Sequence, residues 1–156
     1  MEVHNVNITP LAIAEALSYH NPEVHLSSGE DVYIKGAVFI RKNQLSFEND
    51  ILYMGELSDL PDSLPPCDCI NILCAGKGKI TEEYKNHPGI NLIILDQSTD
   101  LKQVFNELQN LFTKQSTINW YAAKLLNTLV NGKGIDYILD TANEFFKCPM
   151  YVLDNS

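Results

Sequence analysis

The chain has 156 residues, of which 45% are hydrophobic, and carries a formal net charge of −9. This length suits one ordinary domain with part of a second, and the apolar fraction is sufficient for a core, which argues against intrinsic disorder. The acidic excess would repel a phosphate backbone and no apolar run approaches the roughly 20 residues that cross a bilayer, so we expect neither direct nucleic-acid binding nor a membrane partner.

The first part of the chain predicts one helix and several short strands. Thr9 and Pro10 are favourable at the N-cap and the first position of a helix, which Pro22 brings to an end. Runs of β-branched and aromatic residues then predict strands. These strands are Val24–Leu26, Val32–Ile40 and Ile51–Met54.

Two apolar runs, Ile70–Cys74 and Ile90–Leu95, dominate the middle of the sequence. Their mostly branched aliphatic residues are typical of strands buried on both faces, as in a parallel sheet covered by helices. Between them lie a Gly/Lys loop and a short predicted helix from about Thr81 to His87. The fold class expected is α/β, with a small mostly parallel sheet, covering helices and a long C-terminal helical extension.

The extension begins with the longest helical pattern in the chain. Asp100 and Gln103 form a capping pattern, and no Gly or Pro interrupts Leu101–Val130. Apolar residues recur at heptad positions, which predicts a dimerising coiled coil, although two amphipathic helices broken near Ser116 explain the pattern equally well. The predicted dimerisation residues are Leu108, Leu111, Ile118, Leu125 and Leu129.

After the glycines near residue 132, apolar periodicity predicts a further helix over Ile135–Phe146 and then a strand at Met150–Leu153. We interpret that strand as the first of a second domain. The domain organisation expected is an α/β sensing domain at 1–114, a helical connector at 115–147 and the start of a central domain at 148–156.

The loop after Cys74 is the first candidate for a ligand site. Glycines allow backbone N–H groups to approach an anion, and the loop follows the carboxyl end of a strand, where open α/β sheets bind ligands. The sequence does not match a P-loop or a dinucleotide fingerprint, and a solvated βα turn is the simpler interpretation. The candidate ligand-binding residues are Gly55, Glu56, Gly76, Lys77, Gly78 and Asp96.

We expect no metal, cofactor or catalytic residue. Cys67 and Cys69 form only one closely spaced pair, whereas structural zinc usually takes two. The four cysteines are not spaced as in a disulfide framework. The first residues do not show the basic region followed by an apolar region of a secretory signal peptide. A reduced, cytoplasmic protein is therefore predicted. No nucleophile elbow or carboxylate pair accompanies the histidines.

Two stretches carry a family resemblance. Leu125–Ser156 resembles the segment of PucR-type (purine-catabolism regulator-like) transcription factors in which a connecting helix, a glycine and a second helix lead to a strand of pattern P-[ILVM]-x-[LVF]-x-D-x-S, here Pro149–Ser156. Ile51–Leu57 is similar to a strand end in the N-terminal sensing domain of some of these regulators. The resemblance implies a non-enzymatic domain that senses a small effector and forms a homodimer, with a helix-turn-helix outside this chain.

Two other functions remain open at this point. A stand-alone protein-interaction module would need no small ligand. A small phosphate-handling enzyme would depend on Lys77 and Lys79, but no acid/base pair accompanies them.

Overall fold

The computed structural model describes residues 7–27, 32–41, 44, 46–62, 68–132 and 134–149. The chain divides into an α/β unit, 7–112, and a helical unit that is described from 113 to 149 except for residue 133. Two sequence predictions fall outside the described residues. They are the strand Met150–Leu153, with the rest of the pattern that follows Pro149, and the metal-site candidate Cys67.

A five-stranded sheet forms the centre of the α/β unit and confirms the predicted fold class. Its strands are β1 (Glu23–Leu26), β2 (Gly36–Phe39), β3 (Ile51–Glu56), β4 (Ile70–Ala75) and β5 (Ile90–Ile94), in the order β1-β5-β4-β3-β2. Strands β2 to β5 are parallel, and β1 is antiparallel to β5. All six residues of β4 are buried, as its apolar sequence predicted.

Strand β2 is shorter than the predicted Val32–Ile40. Ile34 instead forms an isolated antiparallel bridge with Ile8, and its N–H donates to the Ile8 carbonyl at 2.7 Å. The regular ladder with β3 starts only at Gly36, the residue expected to weaken the strand. The first part of the predicted strand therefore pairs with the segment that precedes the first helix, and does not extend the ladder with β3.

Two apolar layers cover the two faces of the sheet. Helix α1 (Pro10–Ala16) and the first part of α3 (Leu101–Val130) pack on one face, where Ile13, Val104 and Leu108 are buried. The other face packs beneath α2 (Glu82–Lys85) and neighbouring loops, with Tyr84 against it. Burial of one large aliphatic side chain contributes about 1.5–3 kcal/mol, so these layers supply most of the driving force for folding.

Helix α3 is continuous, so the structure shows one helix rather than two helices broken near Ser116. Its heptad residues nevertheless serve different purposes along its length. Leu108 is 1% exposed in the core beneath the sheet, and Leu111 packs against the same core. Because α3 covers the sheet there, Leu108 belongs to the core of the α/β unit. The dimerising role of the heptad residues stays a prediction.

The helical unit is an antiparallel hairpin of α3 from Thr113 onward and α4 (Ile135–Phe146). The rings of Tyr121 and Phe145 lie 4.8 Å apart, and Nζ of Lys124 lies 2.7 Å from Oε2 of Glu144. No helix among the described residues is both long and apolar enough to cross a membrane.

Candidate functional site

A cleft of about 500 Å³ lies where the parallel strands β2, β3 and β4 end. Segments that follow β5 and the first turn of α3 complete it, so separate stretches of sequence converge at one edge of the sheet. The carboxyl edge of a parallel sheet is the usual place for a ligand in α/β proteins. The lining residues are Phe39, Gly55, Glu56, Asp59, Ala75, Gly76, Gln97, Thr99, Asp100, Leu101 and Lys102.

A reciprocal cap shapes the wall of the cleft after β3. The N–H of Glu56 donates to Oδ2 of Asp59 at 2.9 Å, and the Glu56 side chain accepts from the backbone of Asp59. A Cβ at Gly55 would lie 3.3 Å from Cβ of Asp59, so glycine lets this turn close against the strand end. Two carboxylates are thereby held side by side at the cleft.

A glycine also forms the wall that follows β4. Gly76 has φ +99, a left-handed conformation that L side chains rarely adopt. The nearest atoms to a Cβ placed there belong to Glu56, at 3.7 Å. The backbone conformation, rather than a lack of space, therefore explains why glycine occupies this position.

The first turn of α3 brings a third carboxylate to the cleft. Oδ1 of Asp100 accepts from the N–H of Lys102 at 2.9 Å and from that of Gln103 at 3.5 Å. The helix terminus, which often binds phosphate, is here capped by a side chain of the same charge as phosphate. This arrangement disfavours an anion at the end of the helix.

One aromatic ring provides the apolar part of the cleft. Phe39 ends β2 and is 41% exposed, and its ring lies 5.1 Å from that of Phe105 on α3. Contact with Phe105 orients one face of Phe39 and leaves part of the ring accessible. Such a ring can support a planar or apolar group of a ligand.

The cleft brings together only some of the predicted ligand residues. Gly55, Glu56 and Gly76 line it, whereas Lys77 and Gly78 are exposed and are not among the lining residues. Asp96 is not a lining residue either, and its Oδ2 accepts from Nδ2 of Asn21 at 3.2 Å. Asp96 thus holds the connection between α1 and β1.

Sequence reasoning did not select the other residues of the cleft. Asp100 was recognised as a helix cap but not as a lining residue, although its position shortly after a strand end was a usable signal. Asp59 and Phe39 gave no such signal, because their places depend on the turn after β3 and on strand order.

A second cleft of about 500 Å³ lies beside β2 and includes Val38, Arg41, Gln44, Glu48 and Tyr53. The hydroxyl of Tyr53 already accepts from the N–H of Glu48 at 2.8 Å. None of the predicted ligand residues lines this cleft. Over the described parts of the chain, no group of three or more His, Cys, Asp or Glu side chains could hold a metal ion.

Comparisons with known proteins do not identify a family. No protein-family model matches the chain, and neither the curated proteins nor the solved structures gave a significant match. The resemblance to PucR-type regulators therefore remains a prediction from the sequence.

Proposed function

We propose that this chain is a non-catalytic sensing domain whose small-molecule effector binds in the cleft at the carboxyl edge of the sheet. The observation that carries the proposal is the convergence of three strand ends and the first turn of α3 on one cleft of about 500 Å³. A volume of this size is within the range of small-molecule sites.

The lining indicates the chemistry of the effector. The charged lining residues are three carboxylates, those of Glu56, Asp59 and Asp100, and one lysine, Lys102. Each carboxylate can accept several hydrogen bonds and so retains capacity beyond its capping bond. A small polar effector that donates hydrogen bonds or carries positive charge, with a planar part against Phe39, fits this lining best.

The use of the carboxylates supports sensing rather than catalysis. Glu56 and Asp59 cap each other's backbone, and Asp100 caps α3. A general acid or base has to exchange a proton during turnover, whereas these groups are already engaged in hydrogen bonds that shape the local fold. Their positions suit the recognition of a ligand.

The long helix offers a route by which binding could be reported. Helix α3 starts in the cleft, at Leu101, and continues to Val130. An effector changes the protein only if it favours one of two arrangements. Within this proposal, the effector favours one arrangement of the first turn of α3.

The protein is, in this proposal, a cytoplasmic homodimeric regulator of the PucR type, and DNA binding belongs to a part outside this chain. The support for this step is the resemblance of Leu125–Ser156, together with the acidic charge of −9, which is unsuited to contact with phosphates.

Thermal-shift measurements against a compound panel test the proposal. The panel contains amines, guanidino compounds, heteroaromatic bases and, for comparison, small carboxylic acids. A ligand at 100 times its dissociation constant stabilises the fold by about 2.7 kcal/mol, which raises the melting temperature by roughly 5–10 °C. We expect stabilisation by cationic or donor-rich compounds.

Isosteric variants then locate the site. Glu56→Gln and Asp100→Asn remove a negative charge but keep an oxygen for the cap, and each should weaken binding about tenfold or more. Glu83→Gln, at an exposed position of α2, is the matched control and should bind as the wild type does. No stabilisation by any compound, or equal affinity in all three variants, would contradict a sensing role for this cleft.

A stand-alone protein-interaction module is the second candidate. Several large apolar side chains of the helical unit are exposed, among them Trp120 at 54% and Leu129 at 60%. Such side chains are frequent at protein contacts. A panel without any stabilising compound would favour this candidate.

A further inference from the structure

The second cleft of about 500 Å³, beside strand β2, is lined differently from the cleft at the carboxyl edge of the sheet. Of the described residues, only Phe39 lines both clefts. The volume lies within the range of small-molecule sites, which typically combine a mostly apolar lining with a few polar groups. The second cleft is therefore a candidate site in its own right.

Aliphatic and aromatic side chains form the apolar part of its lining. Val38 is 42% exposed and Phe39 is 41% exposed, whereas their register partners on β3, Tyr53 and Met54, are 4% and 0% exposed. Among the described strands, β2 is the last in the sheet, so its side chains pack against a neighbouring strand on one side only. An apolar group of a ligand would remove this exposed surface from water, which is favourable.

Two side chains of opposite charge line the same cleft without pairing. Within the described part of the chain, neither Arg41 nor Glu48 forms an ion pair. At the other end of β2, by contrast, Nζ of Lys35 lies 2.7 Å from Oδ2 of Asp50. The guanidinium of Arg41 and the carboxylate of Glu48 are thus both available to a ligand.

The neutral polar side chains of the lining are already engaged. Oε1 of Gln44 accepts from the N–H of Arg41 at 3.4 Å, and its Nε2 donates to the carbonyl of Ser46 at 2.7 Å. The hydroxyl of Tyr53 accepts from the N–H of Glu48 at 2.8 Å. These hydrogen bonds hold the backbone at both charged residues, and the two ionic groups remain as the recognition elements of the cleft.

This combination indicates a ligand that carries both charges. A simple organic acid would meet the like charge of Glu48, and a simple amine would meet that of Arg41. A guanidinium binds a carboxylate through two parallel hydrogen bonds, and a carboxylate accepts hydrogen bonds from an ammonium group. A free α-amino acid holds both of these groups on one carbon atom, with its side chain as a third group.

We propose that the cleft beside β2 binds a free α-amino acid with an apolar side chain. Its carboxylate binds Arg41, its ammonium group binds Glu48, and its side chain packs against Val38 and Phe39. The proposal does not depend on an effector at the carboxyl edge of the sheet, because neither Arg41 nor Glu48 lines that cleft.

NMR titration of the full, nitrogen-15-labelled chain tests the ligand class, since it measures dissociation constants into the millimolar range. The ligands are L-leucine, L-phenylalanine, glycine, N-acetyl-L-leucine and L-leucinamide. Both apolar amino acids should bind about tenfold or more tightly than glycine, which lacks a side chain to bury. Each blocked derivative lacks one charge and should bind about tenfold or more weakly than L-leucine.

Two isosteric variants assign each charge to its partner. Arg41→Gln should weaken the binding of L-leucine about tenfold or more, but should leave that of L-leucinamide, which has no carboxylate, unchanged. Glu48→Gln should likewise weaken L-leucine binding and spare N-acetyl-L-leucine, which has no ammonium group. The backbone hydrogen bond from residue 48 to Tyr53 is retained in this variant.

Lys114→Gln and Glu83→Gln are the matched controls, because both residues are exposed and lie outside the cleft. They should bind L-leucine as the wild type does, and the amide spectrum checks that every variant is folded. The proposal is overturned if neither apolar amino acid binds, if glycine binds as tightly, or if both cleft variants keep the wild-type affinity. Weaker L-leucine binding in Glu56→Gln but not in Arg41→Gln would place the ligand in the other cleft, which overturns this proposal and leaves the sensing proposal standing.

Discussion

Asn91 donates a hydrogen bond from Nδ2 to Oδ1 of Asn71 at 2.9 Å, and the two residues are register partners on the neighbouring strands β5 and β4. Asn71 is 0% exposed and Asn91 is 2% exposed. The pair has further partners, because Asn71 donates to the Asn49 carbonyl at 2.8 Å and Asn91 accepts from the N–H of Ser27 at 3.2 Å. A slipped register would bury these amides against apolar side chains, so the pair specifies how the two strands align.

Asn71→Leu should lower the free energy of unfolding by about 2–3 kcal/mol, because it removes partners from buried polar groups. Urea denaturation measures the change. A double-mutant cycle with Asn91→Leu should give a coupling energy of at least about 1 kcal/mol, since the two side chains touch. Additive effects of the two substitutions would show that the amides do not act as a pair.

The heptad residues of α3 should separate into two classes on truncation. Leu108→Ala should reduce the free energy of unfolding by about 2–5 kcal/mol, because Leu108 is 1% exposed in the core and its loss leaves a cavity. Leu129→Ala, at a position 60% exposed, should cost much less at protein concentrations where the chain is monomeric. Chemical denaturation at low protein concentration compares them, and equal losses would contradict the placement of Leu108 in the core.

Sequence patterns predicted the strands of the sheet well, because the residues within a strand already indicate which of its faces are buried. Runs such as Ile70–Cys74 are apolar apart from Asn71, a pattern typical of a strand that is covered on both faces. The heptad pattern predicted where α3 is helical, but not which neighbour each residue contacts. The same apolar spacing places Leu108 in the core against the sheet and Leu129 on the surface, and only tertiary packing distinguishes the two positions.

The cleft lies at the sheet edge where the sequence predicted a ligand site, but only some of the predicted residues line it. The rule that ligands bind beyond the carboxyl ends of strands led to Gly55, Glu56 and Gly76. The rule also selected Lys77 and Gly78, because the sequence of a glycine loop does not indicate in which direction the loop turns. Asp59 lines the cleft because the turn after β3 brings its side chain into hydrogen-bond contact with the N–H of Glu56.

The thiol of Cys74 should be unreactive in the folded protein. Burial raises the pKa of Cys74 to about 12, so almost no thiolate exists near neutral pH. Exposed Cys148 should react with a thiol reagent at once, and Cys74 only after denaturant unfolds the sheet. Mass spectrometry of timed alkylation identifies each site, with Cys74→Ser as the assignment control. Modification of Cys74 as fast as that of Cys148 would contradict its burial.

Acid should weaken the attachment of the turn after α1 to α3. The hydroxyl of Tyr19 donates to Oε2 of Glu107, and Nε2 of Gln103 donates to Oε1 at 3.0 Å. These hydrogen bonds, that of Tyr19 foremost, hold the pKa of the Glu107 carboxyl below its ordinary value of 4.5. The unfolded chain therefore binds this proton more readily than the folded one, so the stabilisation is complete above pH 4.5 and is lost as the pH falls through the lowered pKa.

Urea denaturation at a series of pH values down to about 3 should show a shallower decline in the free energy of unfolding for Glu107→Gln than for the wild type. Glu83→Gln, an exposed substitution of the same kind, should keep the wild-type slope, and a decline equally steep in Glu107→Gln would show that the contact with Tyr19 does not stabilise the ionised carboxylate.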